Sequence, residues 1–341
     1  MFYLYQDDSL RADHQAVRTA AGWYDFTHRV IELTGPDAVA FLNFMYVSNF
    51  DNMGVGRAKY TINLDEDGWI ADDCIIFRLE EEKFWISTLY TKELEKRFSW
   101  YEDDFDIDYE VITEDWKMYS VQGPKAVELV NKVIDDTVDE MKFFAIKDTT
   151  LDGIPMKVAR AGFTGEEFGY ELYIEAENEE ALVAKLEKAG EEVGARHVTE
   201  IDVMALTLSC EAGYALGLDI RRTYPAEVGF DRMIDWKKKK FVGKKKLRAI
   251  KDEPPKRKLV SFDVPNYDAV IYGGPAYKGD PIYDADGNFA GRVTRFTYGY
   301  TVEKNIGFAL VDPAYAEVGT KLNCNGNELI VAEWNRLAAK E

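Results

Sequence analysis

The sequence predicts an α+β protein of two or three domains that ends in a separate all-β module. Three observations predict this. The chain has 341 residues, 46% of them hydrophobic, which is more than one hydrophobic core usually organises. A Gly-Pro pair stands twice between a strand-like and a helix-like stretch, at Gly35-Pro36 and Gly123-Pro124. A polar, proline-rich break at 252–256 then separates this mixed region from one in which strand signals dominate.

Taken in order, Ile31–Val39 and Tyr119–Val127 are echoes of one strand–turn–helix unit. Proline suits a helix start, where its missing N–H is not needed, and glycine permits the sharp turn before it. Between the echoes, residues 50–116 carry strands at Cys74–Leu79 and Phe84–Thr88, a helix at Lys92–Trp100 and a strand at Tyr109–Ile112, an α+β subdomain. From 117 to 250 the pattern is mixed, with a strand at Tyr170–Ile174 and helical periodicity over Ala181–Ala195, ended by Gly194. This part is expected to pack with residues 1–49 as one discontinuous domain. Residues 257–341 form the all-β domain, with turns at Gly273-Gly274, Asp286-Gly287-Asn288 and Asn325-Gly326.

The net charge of -20 repels phosphate backbones and anionic lipid surfaces, which disfavours nucleic acid and membrane partners. No stretch of about 18 apolar residues occurs, and the first residues lack a secretory pattern, so the cytoplasm is the expected location. Cys74, Cys210 and Cys324 are far apart and odd in number, so no disulfide framework follows. None of His14, His28 and His197 has metal-ligand spacing, and no metal is expected. Acid–base chemistry at neutral pH then falls to carboxylates or tyrosines tuned by their surroundings.

The segment Gly56–Phe77 holds two strands joined by an acidic Gly turn, and strand alternation sends Asp72 and Asp73 to opposite faces. Spacing alone makes both ordinary strand-edge acids in water. The stretch Tyr60 to Gly68-Trp69-Ile-Ala-Asp72-Asp73, however, resembles the "Tyr … Gly-Gly-Ile-x-Asp-Asp" of the glycine-cleavage T-protein (aminomethyltransferase) family, which includes tetrahydrofolate-dependent demethylases. Further matches follow in chain order. They are Ala21–His28, Arg160–Leu172 with one inserted residue before Gly169, Glu211–Tyr214, Tyr224–Phe230, Phe241–Leu247, Gly291–Thr294 and Ile306–Leu310.

The resemblance implies a three-domain T-protein-like fold, with a ferredoxin-like insert at 50–116 and a β-barrel or jelly-roll-like domain at the C-terminus. It implies that Asp73 faces the reactive nitrogens of tetrahydrofolate and is the catalytic group, and that Glu171 holds the pterin. A carboxylate suits that edge, because it offers two acceptors to the paired amide and amino N–H donors. Phe144 and Phe163 match positions beside the folate rings, which aromatic faces hold well, although each is equally an ordinary core residue. Arg160 and Tyr60 complete the cofactor set, and Tyr214 and His28 fall on the substrate side. A lone histidine at that turn is otherwise a hydrogen-bonded structural residue.

Two departures bear on the donor. Gly68-Trp69 replaces the glycine pair, and Ala205–Glu211 lacks the arginines of the family's "Arg-Asp-x-x-Arg-Leu-Glu". They favour a demethylase that moves a methyl group from a small O-, S- or N-methylated donor to N5 of tetrahydrofolate. The alternatives are the glycine-cleavage aminomethyltransferase itself, which needs a lipoylated carrier protein, and a folate-binding protein without transfer chemistry. A dinucleotide enzyme ranks below these, since Lys59 stands at the third glycine position of GxGxxG. The lysines of 237–240 and 244–246 are a basic island, read either as a solvated face or as a site for folate's glutamate tail.

Overall fold

The computed structural model describes residues 4–27, 29–274, 276 and 278–337. His28 lies outside the described residues. Two bodies follow one another along the chain: an 11-stranded sheet with its helices, and a closed barrel of six antiparallel strands.

Helix α1 (Asp8–Thr19) starts under the side chain of Asp7, which accepts from the Ser9 and Leu10 amides, and leads into β1 (Gly22–Asp25). Two copies of one pattern come next. The first runs β2 (Arg29–Thr34), α2 (Ala38–Met45), β3 (Arg57–Leu64), β4 (Ile70–Glu80), β5 (Lys83–Thr88), α3 (Thr91–Phe98) and β6 (Asp108–Val111). The second runs β7 (Trp116–Gln122), α4 (Ala126–Val133), β8 (Ala145–Leu151), β9 (Ile154–Arg160), β10 (Gly169–Glu175), α5 (Glu179–Val193) and β11 (Arg196–His197). Their strand orders agree, β3-β4-β5-β2-β6 against β8-β9-β10-β7-β11, except that β1 inserts between β7 and β11, and the halves join through β3 and β8 in the single pair Arg57–Ala145.

The echoed glycines open both copies for the same reason. Gly35 and Gly123 have φ of 124° and 131°, and a Cβ would meet the Asp106 carbonyl oxygen at 2.5 Å or that of Val17 at 2.6 Å. Neither the conformation nor the space admits a side chain.

The copies set a boundary that differs from the expected one. Within residues 1–49 only β1 pairs as a strand with residues 117–250, while 43–49, at the end of α2, bond to 233–242. Strand β2 pairs with β5 and β6, and Ile31, Leu33, Phe41, Leu42 and Met45 bury against Ile76, Phe84, Ile86, Leu94 and Phe98. Residues 29–49 therefore complete the core of the half that 50–116 builds, because those strands alone lack the partner that covers α3 and β6.

One contact between the halves positions the site. The Tyr173 ring on β10 lies 5.9 Å from Phe77 on β4 and 5.6 Å from Trp85 on β5, within a core shared with Ala58, Met118, Ile146 and Ala159. Each such fully buried aromatic side chain contributes on the order of 1.5–3 kcal/mol. Odd residues of β4 and β10 thus face one interior between the halves, and even ones face the helices.

The barrel comprises β12 (Lys258–Val264), β13 (Pro281–Tyr283), β14 (Phe289–Gly299), β15 (Lys304–Val311), β16 (Lys321–Cys324) and β17 (Asn327–Ala332). Asn325 and Gly326, both at positive φ, make the hairpin between β16 and β17, and Gly287 turns β13 into β14. Gly273-Gly274 makes no hairpin. Gly273 instead lies flat against β14, where a Cβ would be 2.8 Å from the Arg295 backbone. No described helix is long and apolar enough to cross a membrane.

Candidate active site

On β4 the burial pattern alternates, and the two aspartates part as expected. Asp72 is buried on the helix side and accepts a short hydrogen bond from the Thr88 hydroxyl, while its Oδ1 has no partner among the described residues. Burial, and then the charge of Asp73, raise its carboxyl to about 8. Asp73 is half-buried on the opposite face, beside Ile75 and Phe77, and its Oδ2 accepts from the Tyr60 hydroxyl at 2.8 Å. Burial raises its pKa too, against the lowering effect of that hydrogen bond. Burial and the adjoining Asp73 push the Tyr60 hydroxyl well above its ordinary value, so it stays a donor.

Glu171 is buried on β10, where it pairs with Ser120 and Ala159 in register. Its Oε2 accepts from the Tyr173 hydroxyl at 2.7 Å, and that hydroxyl is also bonded to Ser87 of β5. Burial raises the Glu171 carboxyl to about 7, which the Tyr173 bond only partly offsets. Ser87 stands opposite Ile75, two residues from Asp73 on the same face. Glu171 and Asp73 therefore face the same interior, linked through Tyr173 and Ser87.

The other expected residues divide. Phe144, at φ 55°, packs at the edge of this interior core. Phe163 stacks on Phe26, 4.8 Å between centroids, and Phe26 borders the same core. Arg160 is a correction. Its neighbour Ala159 faces the interior, so Arg160 turns the other way, donates to the Met141 carbonyl at 2.8 Å and covers the Phe168 ring. Tyr214 is exposed, and its carbonyl accepts from Arg295.

The missing arginines of Ala205–Glu211 have counterparts from elsewhere in the chain. Arg295 of β14 donates to Ser209 and forms a buried pair with Asp219 at 3.1 Å. Arg18 of α1 pairs with Glu211 at 3.1 Å, beside His14 at 3.2 Å. Although burial opposes it, these two groups hold the Glu211 carboxyl down to about 2.

Tyr173 and Ser87, which link the two carboxylates, escaped motif matching. Strand alternation from Glu171 points to Tyr173; no comparable signal marks Ser87. The basic island lines a cavity of about 680 Å³ with Phe44, Tyr101 and Val242. Those residues belong to the helix-side core with Cys74 and Ile76, the face of β4 opposite to Asp73, so the island does not adjoin the Asp73–Glu171 interior. No described cluster of histidine, cysteine and carboxylate side chains is arranged to hold a metal ion.

A family model described as "GCVT N-terminal domain" matches residues 2–238, and one described as "Glycine cleavage T-protein C-terminal barrel domain" matches 257–329. A Bacillus cytotoxicus protein named aminomethyltransferase is 33% identical over 329 residues, covering 93% of this chain and 86% of its own. One from a Thermoanaerobacter species is 31% identical over 326 residues, covering 93% and 85%. The crystal structure of glycine cleavage system aminomethyltransferase T from Bartonella henselae has the same fold, with a TM-score of 0.84 at 23% identity over 96% of this chain and 90% of that one.

Proposed function

Because this chain belongs to the glycine cleavage T-protein family, an enzyme family that moves one-carbon units to tetrahydrofolate, we propose that Glu171 and Asp73 are its folate-holding and transfer groups. The observation that carries this is their common interior, spanned by Tyr173 and Ser87. Glu171 fits the pterin edge. One oxygen is held by Tyr173, no described donor occupies the other, and a carboxyl near 7 gains most from two N–H partners. Phe144 and the Phe26–Phe163 stack supply the flat apolar surfaces.

When bound, tetrahydrofolate would supply N5 as nucleophile toward the donor carbon, whose bond to the donor's own heteroatom would break with the electron pair leaving on that heteroatom. Asp73, oriented by Tyr60, would stabilise positive charge at N5 and take up its proton. Holding both partners in one interior converts a collision into a positioned displacement.

The names of the relatives favour an aminomethyl donor carried by a lipoylated protein, with ammonia released, over the demethylase expected from the departures alone. The demethylase stays as a second reading, supported by Trp69 in place of glycine and by the arginine-free 205–211 segment. Incubating the protein with tetrahydrofolate and either an aminomethylated lipoyl carrier or a panel of small methylated donors, with mass detection of the folate, tests both. Methylenetetrahydrofolate supports the first, methyltetrahydrofolate the second, and neither product contradicts transfer altogether.

A further inference from the structure

The cavity beside Phe44 and Tyr101 takes no part in the transfer chemistry, yet its walls are chemically distinct from the rest of the surface. The chain carries 62 acidic side chains against 42 lysines and arginines. Even so, Lys239, Lys240, Lys245 and Arg248 all line this one cavity and form no ion pair among the described residues. Cations gathered in a cleft focus their field into it, which a convex solvated face does not do. The volume, about 680 Å³, suits a small-molecule ligand.

The segment that carries these cations is fixed in place. Lys238 is held by three carbonyls at the end of α2, the Val242 amide donates to the Phe44 carbonyl at 3.0 Å, and Lys244 Nζ donates to the Trp236 carbonyl at 3.2 Å. Gly243, at φ 79°, packs so closely on the turn before β4 that a Cβ would be 2.6 Å from the Asp65 carbonyl oxygen, and this close approach sets Glu66 in the cavity wall. Opposite the cations the wall is aromatic. Phe44 and Tyr101 meet edge to face, 5.0 Å between centroids, and Lys240 Nζ stands over the Phe44 ring at 4.7 Å. The Tyr101 hydroxyl donates to Glu66 Oε1 at 2.6 Å, and no described donor occupies Oε2.

We propose that this cavity binds a purine nucleoside polyphosphate. Three of the four unpaired cations are lysines, point charges that suit phosphate oxygens, whereas a carboxylate better matches an arginine fork. Phe44 and Tyr101 offer the base an aromatic surface, and Glu66 Oε2 accepts from its amino group, which accounts for one acid in a basic wall. The cavity lies on the face of β4 opposite to Asp73, so it is a second site, independent of the transfer reading.

The test is calorimetric titration of the full chain, without divalent metal, with ATP, tripolyphosphate, adenosine and tetraglutamate. ATP is expected to bind about 10-fold more tightly than tripolyphosphate, and adenosine and tetraglutamate more weakly than either. Lys240→Gln/Lys245→Gln should weaken ATP by about 10-fold, while Lys237→Gln/Lys246→Gln, the same charge change outside this cavity, should alter it less than about twofold. Tyr101→Ala should bring ATP down to the affinity of tripolyphosphate. Unchanged thermal midpoints confirm that the variants fold. ATP binding no tighter than tripolyphosphate, tetraglutamate equal to ATP, or equal losses in the two double variants would each overturn the proposal.

Discussion

Replacing Glu171 with glutamine separates the stability cost of this carboxyl from its use. Its pKa of about 7 against an ordinary 4.5 is a difference of roughly 2.5 pH units, or about 3 kcal/mol against the ionised form. The sign follows from which state gives up its proton first. The unfolded chain does so near 4.5, so the folded protein loses stability as pH rises from there through 7. Glutamine cannot titrate. Urea unfolding of both proteins at pH 5 and 8.5 should therefore show wild type losing about 2–3 kcal/mol more than the variant over that interval, with other titrations cancelling in the comparison. The same substitution should weaken tetrahydrofolate by about 1–3 kcal/mol, because one of the two carboxylate acceptors becomes a donor. Equal pH dependence in the two proteins, or unchanged folate affinity, would refute the assignment of Glu171 as a buried carboxyl that waits for the pterin.

Other expectations are independent of that one. Asp73→Asn should lower turnover roughly 100-fold while leaving the folate dissociation constant within about twofold, as checked by steady-state kinetics and equilibrium binding. Asp72 ionises at about 8, which places a second negative charge beside Asp73, so the wild-type rate should change above that pH and Asp72→Asn should flatten this alkaline limb of the pH–rate profile. Gly123→Ala should destabilise the protein by about 2 kcal/mol or more in thermal unfolding, since it forces both an unfavourable φ and backbone overlap; a neutral effect would mean that the turn can relax.

Much of the fold was readable where local chemistry decides it. The Gly-Pro echoes marked the two copies because both glycines need conformations that other residues resist. Gly194, left-handed at φ 75°, ends α5 where the pattern placed a stop, and Asn325-Gly326 made its hairpin. What failed depended on long-range pairing. Nothing within residues 29–49 tells whether β2 will insert between β5 and β6 or join β7. Arg160 looked like part of the Glu171 segment, but one step along a strand reverses the face. The basic island misled in part, because Lys238 caps the end of α2 by donating to the carbonyls of Asn43 at 2.8 Å, Tyr46 at 2.5 Å and Ser48 at 2.7 Å.

The most direct test of a shared interior is a crystal structure of the protein with tetrahydrofolate bound under anaerobic conditions. The account predicts the pterin amide and amino edge on Glu171, with N5 within hydrogen-bond reach of Asp73. A pterin lodged instead in the lysine-lined cavity beside Phe44 and Tyr101, on the far face of β4, would contradict it.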